Sequence, residues 1–147
     1  MKISFSAMCL SLFLFSVPVL AGDLVLEVKG VRSDQGDVLG AVHVRTPGVK
    51  FPARDGEGTV HSFRTRAREG TITVVFQDVA PGEYALTAFH DEDGSGEINS
   101  NALGIPTEGY AFGNDATGFM GPPKFEDVAV TLEEGAQSVT ASGSLMY

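Results

Sequence analysis

Cysteine is almost absent from this chain: its 147 residues hold one, Cys9. That residue lies in an apolar N-terminal segment expected to be removed. The remaining chain would then have no cysteine, which excludes disulfides, thiolate nucleophiles and zinc–cysteine centres together. Basic residues are scarce, 10 Lys and Arg against 19 Asp and Glu, for a formal charge of −9. Removing Lys2 leaves 9 against 19, or −10. An acidic surface keeps a small protein soluble, argues against nucleic acid and anionic lipid as partners, and attracts divalent cations. A helical apolar stripe with caps is missing as well. So are the catalytic signatures: there is no G-x-S-x-G elbow, no H-E-x-x-H and no phosphate-binding glycine loop.

What is present begins with a targeting pattern. Lys2 forms a short positive region, Ile3 to Leu20 is apolar, and Val19-Leu20-Ala21 offers small residues at the positions a signal peptidase reads. The expectation is a signal peptide over residues 1–21, cleaved after Ala21. An uncleaved anchor is the alternative, which Pro18 and the small-residue exit disfavour. Met8 stands where a lipoprotein cysteine would need a small residue before it. The product would be exported, periplasmic or secreted, with no transmembrane segment in the mature chain. One domain over residues 22–147 is long enough to bury a core without staples.

The period along that domain is two. Leu24, Leu26 and Val28 alternate with Val25, Glu27 and Lys29. Similar runs cover Val38 to Arg45, Thr71 to Gln77, Tyr84 to Phe89, Val128 to Leu132 and Val139 to Leu145, with a weaker run from Val60 to Ala67. Such alternation marks strands with one buried face. Ser33-Asp34-Gln35-Gly36, Glu69-Gly70, Ala80-Pro81-Gly82 and Glu133-Glu134-Gly135 supply turns between them. The predicted fold is all-β: an antiparallel two-sheet sandwich, immunoglobulin-like or transthyretin-like, of about seven strands.

One segment breaks the rhythm. Residues 99–124, "NSNALGIPTEGYAFGNDATGFMGPPK", show no strand-like alternation. Disordered linkers lack aromatics. Here Leu103, Ile105, Tyr110, Phe112, Phe119 and Met120 predict one long loop packed on the body. Tyr110, Phe112 and Phe119, with His90, are candidates to line a groove for a protein or glycan partner. The same aromatics would equally well plug one end of the sandwich.

"HDEDGSGEIN", residues 90–99, enters that loop. Counted from Asp91, it matches much of a calcium loop. Asp91, Asp93 and Ser95 fall at positions one, three and five, and Gly96 sits at the sharp turn. Glu97 would offer its carbonyl, and Asn99 would act through water. Position twelve is Ala102, where a bidentate Glu belongs. The stretch also leaves a strand, which excludes an EF-hand. Glu108 or Asp115 would have to supply the missing carboxylate. Such a site would bind Ca²⁺ weakly, with Kd on the order of 10⁻⁴–10⁻³ M. The competing reading is a polar β-turn, for which Asp, Gly and Ser are the usual residues. Repulsion among Asp91, Glu92, Asp93 and Glu97 is what a cation would relieve.

His90, in phase with Tyr84, Leu86 and Ala88, is either a general base or ligand at a strand end, or a hydrogen-bonded residue at the core rim. His43 and His61 lie elsewhere in the pattern. Arg64, Arg66 and Arg68 share one face of "FRTRAR", as an anion site or a solvated edge strand paired with acids.

The stretch "FQDVAPGEYALTAFHDEDGSGEINSNALGIPTEGYAFGND", residues 76–115, with "GPPKFEDV" after it, resembles a family of small exported bacterial proteins. That family is a domain of unknown function, number 2141. Asp93 and Ser95 stand where it more often has asparagines, which keeps acceptor oxygens in place. The resemblance implies no catalytic residues. "V-x-P-G-x-Y-A-L", Val79 to Leu86, is also similar to transthyretin-like and carboxypeptidase-regulatory-like β-sandwich modules, which implies structure, adhesion or carbohydrate contact. The expected function is a non-enzymatic exported module, calcium-stabilised, with an envelope protein or glycan as partner. The alternatives are a hydrolase using His90, Asp91 and Glu108, and a purely structural envelope protein.

Overall fold

The computed structural model describes residues 20–53 and 56–147. The targeting segment expected over residues 1–21 lies outside these, apart from Leu20 and Ala21. Among the described residues no helix is long and apolar enough to cross a membrane.

Among the described residues eight strands form two sheets: β1 Gly22–Val31, β2 Asp37–His43, β3 Thr59–Arg66, β4 Gly70–Val79, β5 Gly82–Asp91, β6 Tyr110–Phe112, β7 Ala129–Leu132 and β8 Ser138–Ser144. One sheet has the order β4-β1-β8. The other runs β3-β2-β5-β6, with β7 also pairing β5. The alternation works as expected in β1, where every second residue from Gly22 to Val28 is buried. Leu24, Leu26, Val42, Tyr84, Leu86, Leu132 and Ala141 join both sheets in one cluster. Val28, Val31, Val38, Ala88, Ala111 and Leu145 form a second. Each fully buried aliphatic side chain stabilises by about 1.5–3 kcal/mol.

Three features depart from the sequence-based expectation. The first and last strands pair in parallel, Asp23 to Lys29 beside Ser138 to Ser144, so the sandwich is not wholly antiparallel. This pairing depends on where β8 arrives, which its own residues do not encode. Gly143 lets β8 lie close to β6 of the facing sheet, because a Cβ there would run into the carbonyl of Phe112. Second, the 99–124 segment is not one unbroken loop. Tyr110–Phe112 pairs with Thr87–Phe89 as an eighth strand. A 3-10 turn, Gly113–Asp115, follows it. Third, Val128 ends a short helical turn, Phe125–Val128, rather than starting a strand.

Strand β5 is central and has both faces covered. Tyr84, Leu86, Ala88 and His90 point between the sheets, and Ala85, Thr87, Phe89 and Asp91 point outward. The outward face is roofed at the Ala85 end, where Ala85, Phe125 and Val128 pack together with Phe51, Phe112 and Ala116 around them. At the Asp91 end the covering is polar.

Candidate functional site

The polar end begins where β5 runs out. Asp91 is fully buried, and Glu108 is 5% exposed. One ligand oxygen each from Asp91, Asp93 and Glu108 lie within 4.8 Å of one another. Two oxygens at about 2.3–2.6 Å from one calcium ion stand at most about 5 Å apart, so all three fit one coordination shell. Of the two carboxylates the 99–124 segment offers, Glu108 is the one that lies beside Asp91 and Asp93. Asp115 does not, because its Oδ1 accepts the N–H of Ser144 at 2.7 Å.

Backbone amides hold the carboxylates in position. Gly96 N–H donates to Asp91 Oδ2 at 3.0 Å, and Ser95 N–H to Asp93 Oδ1 at 3.0 Å. Gly94 and Gly96 both have positive φ, 76° and 80°, which lets the chain turn tightly enough to aim these amides. Glu108 accepts from Glu92 N–H at 3.0 Å and from Asn99 N–H at 2.9 Å, which ties both ends of the 92–99 turn. Asn99 also donates its side-chain amide to Asp93 Oδ2 at 2.7 Å. The amide of Ser95 first, then its hydroxyl, hold the Asp93 carboxyl below the usual carboxylate range.

Ser95 and Glu97 lie next to these carboxylates in the turn. Ser95 Oγ lies 3.0 Å from the Glu97 carbonyl and 3.4 Å from Asp91 Oδ1. One hydroxyl proton serves only one of these acceptors. The Glu97 main-chain oxygen thus lies beside the Ser95 hydroxyl. The fourth acid, Glu92, points elsewhere: Arg32 Nε donates to its Oε1 at 3.1 Å and Nη2 donates to its Oε2. That guanidinium holds the Glu92 carboxyl below its ordinary range. Arg64 stands near the cluster: its Nη2 lies 3.7 Å from Asp91 Oδ2 while its Nε donates to Asp37 Oδ2 at 2.7 Å. Strand β3 is thus an edge strand whose Arg64 is paired with acids, and Arg68 lies beyond its end.

His90 belongs to the other face. It is fully buried between the sheets. Its Nε2 lies 2.7 Å from the Gln35 carbonyl and its Nδ1 2.8 Å from the Tyr147 hydroxyl. A carbonyl only accepts, so Nε2 carries the proton and Nδ1 accepts from Tyr147. Tyr147 accepts in turn from Arg32 N–H at 3.1 Å and lies beneath the Arg32 guanidinium. His90 is a satisfied core residue and does not join Asp91 and Glu108.

The groove residues also part company. Tyr110 and Phe112 lie on the outward face, in edge contact with each other at 6.2 Å between ring centroids. Phe119 is 95% exposed and Met120 93%, so neither packs on the body as expected. Leu103 at 83% is also outside.

The apolar end holds a site that the sequence pattern did not mark. An open pocket of about 540 Å³ lies over the end of β2. His43, Phe51, Phe125, Val49, Pro123 and Lys124 are among its lining residues. His43 is buried, with Nε2 2.9 Å from Thr87 Oγ1 and Nδ1 3.2 Å from Thr59 Oγ1. Burial pushes its pKa below the ordinary value. Phe51 meets His43 at 5.3 Å and Phe125 at 5.6 Å, edge to face. Arg45 lies over the Phe125 ring at 4.7 Å, held by Glu126 at 3.4 Å. In the sequence His43 is one polar residue in a strand; its burial depends on residues 51 and 125 folding over it.

No curated protein and no solved structure matches this chain. A family profile does, over residues 26–140, and this span covers most of the sandwich and the whole carboxylate cluster. The chain therefore belongs to the family described as "Uncharacterized protein conserved in bacteria (DUF2141)".

Proposed function

We propose that this protein is an exported, non-enzymatic β-sandwich module in which Ca²⁺ pins the 91–108 loop and the 99–124 segment meets a protein or glycan partner. The observation that carries this reading is the meeting of Asp91, Asp93 and Glu108 within 4.8 Å. Carboxylates this close repel one another unless hydrogen bonds or a cation compensate. Asp91, Asp93, Ser95, Glu108 and the Glu97 carbonyl are the oxygens that would hold the ion, with Asn99 supporting Asp93. Hard cations bind oxygen sets of this kind. The exposed Leu103, Ile105, Phe119 and Met120 support the contact role. The targeting pattern of residues 1–21 supports export.

The opposing faces of His90 and Asp91 speak against the hydrolase, since an acid–base pair must reach one substrate. The test is thermal melting with and without Ca²⁺, with Mg²⁺ as control. With a Kd on the order of 10⁻⁴–10⁻³ M, about 1 mM Ca²⁺ should stabilise the fold by roughly 0.4–1.4 kcal/mol. Asp93→Asn, at an exposed position, should remove most of that gain. A midpoint that ignores Ca²⁺ in the unmutated protein would remove the ion from this account.

A further inference from the structure

The pocket over the end of β2 carries a charge opposite in sign to that of the whole molecule. The chain has 19 acidic and 10 basic residues. Three of the basic ones, Arg45, Lys50 and Lys124, line this hollow, against two acids, Glu57 and Glu126. Both acids are engaged: Glu126 holds Arg45 at 3.4 Å, and Glu57 has a partner of its own. Arg45 is engaged as well, since it also stands 3.9 Å from Glu83 and covers the Phe125 ring. The two lysines differ. Among the described residues neither Lys50 nor Lys124 forms a salt bridge, and both are exposed. Two positive charges at the mouth are thus left for a group from outside.

The walls behind them are apolar and fixed. Phe51 is half-buried and meets His43 at 5.3 Å and Phe125 at 5.6 Å, edge to face. Pro123 is buried, and Val49 and Pro122 add to the apolar lining. His43 brings neither charge nor a free ring nitrogen, because burial lowers its pKa and two threonine hydroxyls take both nitrogens. The volume of about 540 Å³ falls in the range of roughly 300–1,000 Å³ that small-molecule sites have. A molecule that matches both parts has an apolar ring or chain for the walls and an oxyanion for the lysines. Its size is limited by the rest of the surface. A nucleic acid or an anionic membrane would meet the acidic remainder of the protein and be repelled. A small anion need approach only the mouth, and charges more than roughly 8 Å from it are screened at physiological salt.

We infer that this pocket is a binding site for a small organic anion, with its apolar body against Phe51, Val49 and the two prolines and its oxyanion at Lys50 and Lys124. The site lies at the end of the β5 outward face away from the carboxylate cluster, and the inference does not rest on the calcium reading of that cluster. Exposed ion pairs contribute little each, so the walls supply most of the affinity and the lysines supply the selectivity for a negative charge.

An amide NMR titration at low ionic strength, with phenylacetate as the probe, tests it. Phenylacetate should move the amides of Val49, Lys50, Phe51 and Lys124 and leave those of Gly94 and Gly96 in place. Phenylacetamide, the same ring without the charge, should bind about fivefold more weakly. Acetate, the same charge without the ring, should bind more weakly than phenylacetate too. The double variant Lys50→Gln, Lys124→Gln should keep its circular dichroism spectrum, since both side chains are exposed, and should bind phenylacetate and phenylacetamide alike. Val49→Trp, which fills the hollow, should bind neither. No shift at these amides up to the solubility of the probe overturns the inference. Equal binding of phenylacetamide by the unmutated protein overturns it as well, because the pocket would then be apolar without selecting charge. Inorganic phosphate moving the same amides as strongly as phenylacetate also overturns it, because the lysines alone would account for the binding. A calcium-independent melt leaves this result untouched, so the two readings fail separately.

Discussion

The two ends of the outward face of β5 are closed by different physics. At the Ala85 end, Phe51, Phe112 and Phe125 cover the sheet by packing, and His43 beneath them is satisfied by two threonine hydroxyls. At the Asp91 end, carboxylates cover it, and each is held by main-chain amides. Ala85 and Asp91 lie six positions apart on one strand. The comparison teaches that a strand with two buried faces need not be apolar throughout. An aromatic roof draws its stability from area removed from water. A carboxylate roof draws it from donors that are already folded into place, and its charge leaves it open to a cation.

The apolar end should break most severely. Phe125→Ala removes a ring that is 5% exposed and sits at the centre of the roof. Denaturant unfolding should show a loss of about 3–5 kcal/mol, equal with and without Ca²⁺. The polar end should follow. Glu108→Ala leaves the amides of Glu92 and Asn99 without an acceptor, at about 2–4 kcal/mol for the two. Its loss should also abolish any calcium response, which Phe125→Ala keeps. If both variants lose the response equally, the two ends are one cooperative unit and the contrast fails.

The smallest expected effect lies in pH. Burial lowers the pKa of His43 in the folded state. Both states hold it neutral above its unfolded value of about 6.5. Below that value the unfolded chain takes up a proton that the folded chain resists, so stability is lost as pH falls. His43→Gln should flatten the part of the stability–pH curve just below about pH 6.5. Asp93 at the acidic end, held below the usual carboxylate range by the Ser95 amide and hydroxyl, should not contribute there. An identical curve in the variant would show that His43 takes up its proton in the fold without penalty.

Much of this contrast could be read in the residues. Period-two alternation located β1, β4, β5 and β8, because one side of each faces a core that admits only apolar groups. The count along the 91–99 turn put Asp91, Asp93 and Ser95 side by side, because a loop this short fixes its own geometry. Its missing ligand was narrowed to Glu108 or Asp115 by chemistry alone. The aromatic end stayed hidden. Tyr110–Phe112 is too short, and too surrounded by glycine and proline, to show a period. Phe51, His43 and Phe125 meet only through tertiary folding, so no local spacing announces their pocket. Tyr147 gave no signal that it would cap His90 from the far end of the chain. Phe119 shows the opposite failure: an aromatic in a loop reads as packed, yet this one faces water.

The parallel pairing of β1 with β8 has a consequence for the order of events during synthesis. Strand β1 leaves the ribosome first and β8 follows every other strand. Until β8 arrives, β1 has only β4 beside it, and its second edge is bare. Contacts so far apart in sequence are slow to form, because a long chain must close before they are made. A chain truncated before Ser138 should therefore fail to settle into the sandwich, however complete its loops and carboxylates. The carboxylate site inherits that delay, since the sheet that carries it rests on a core the final strand completes.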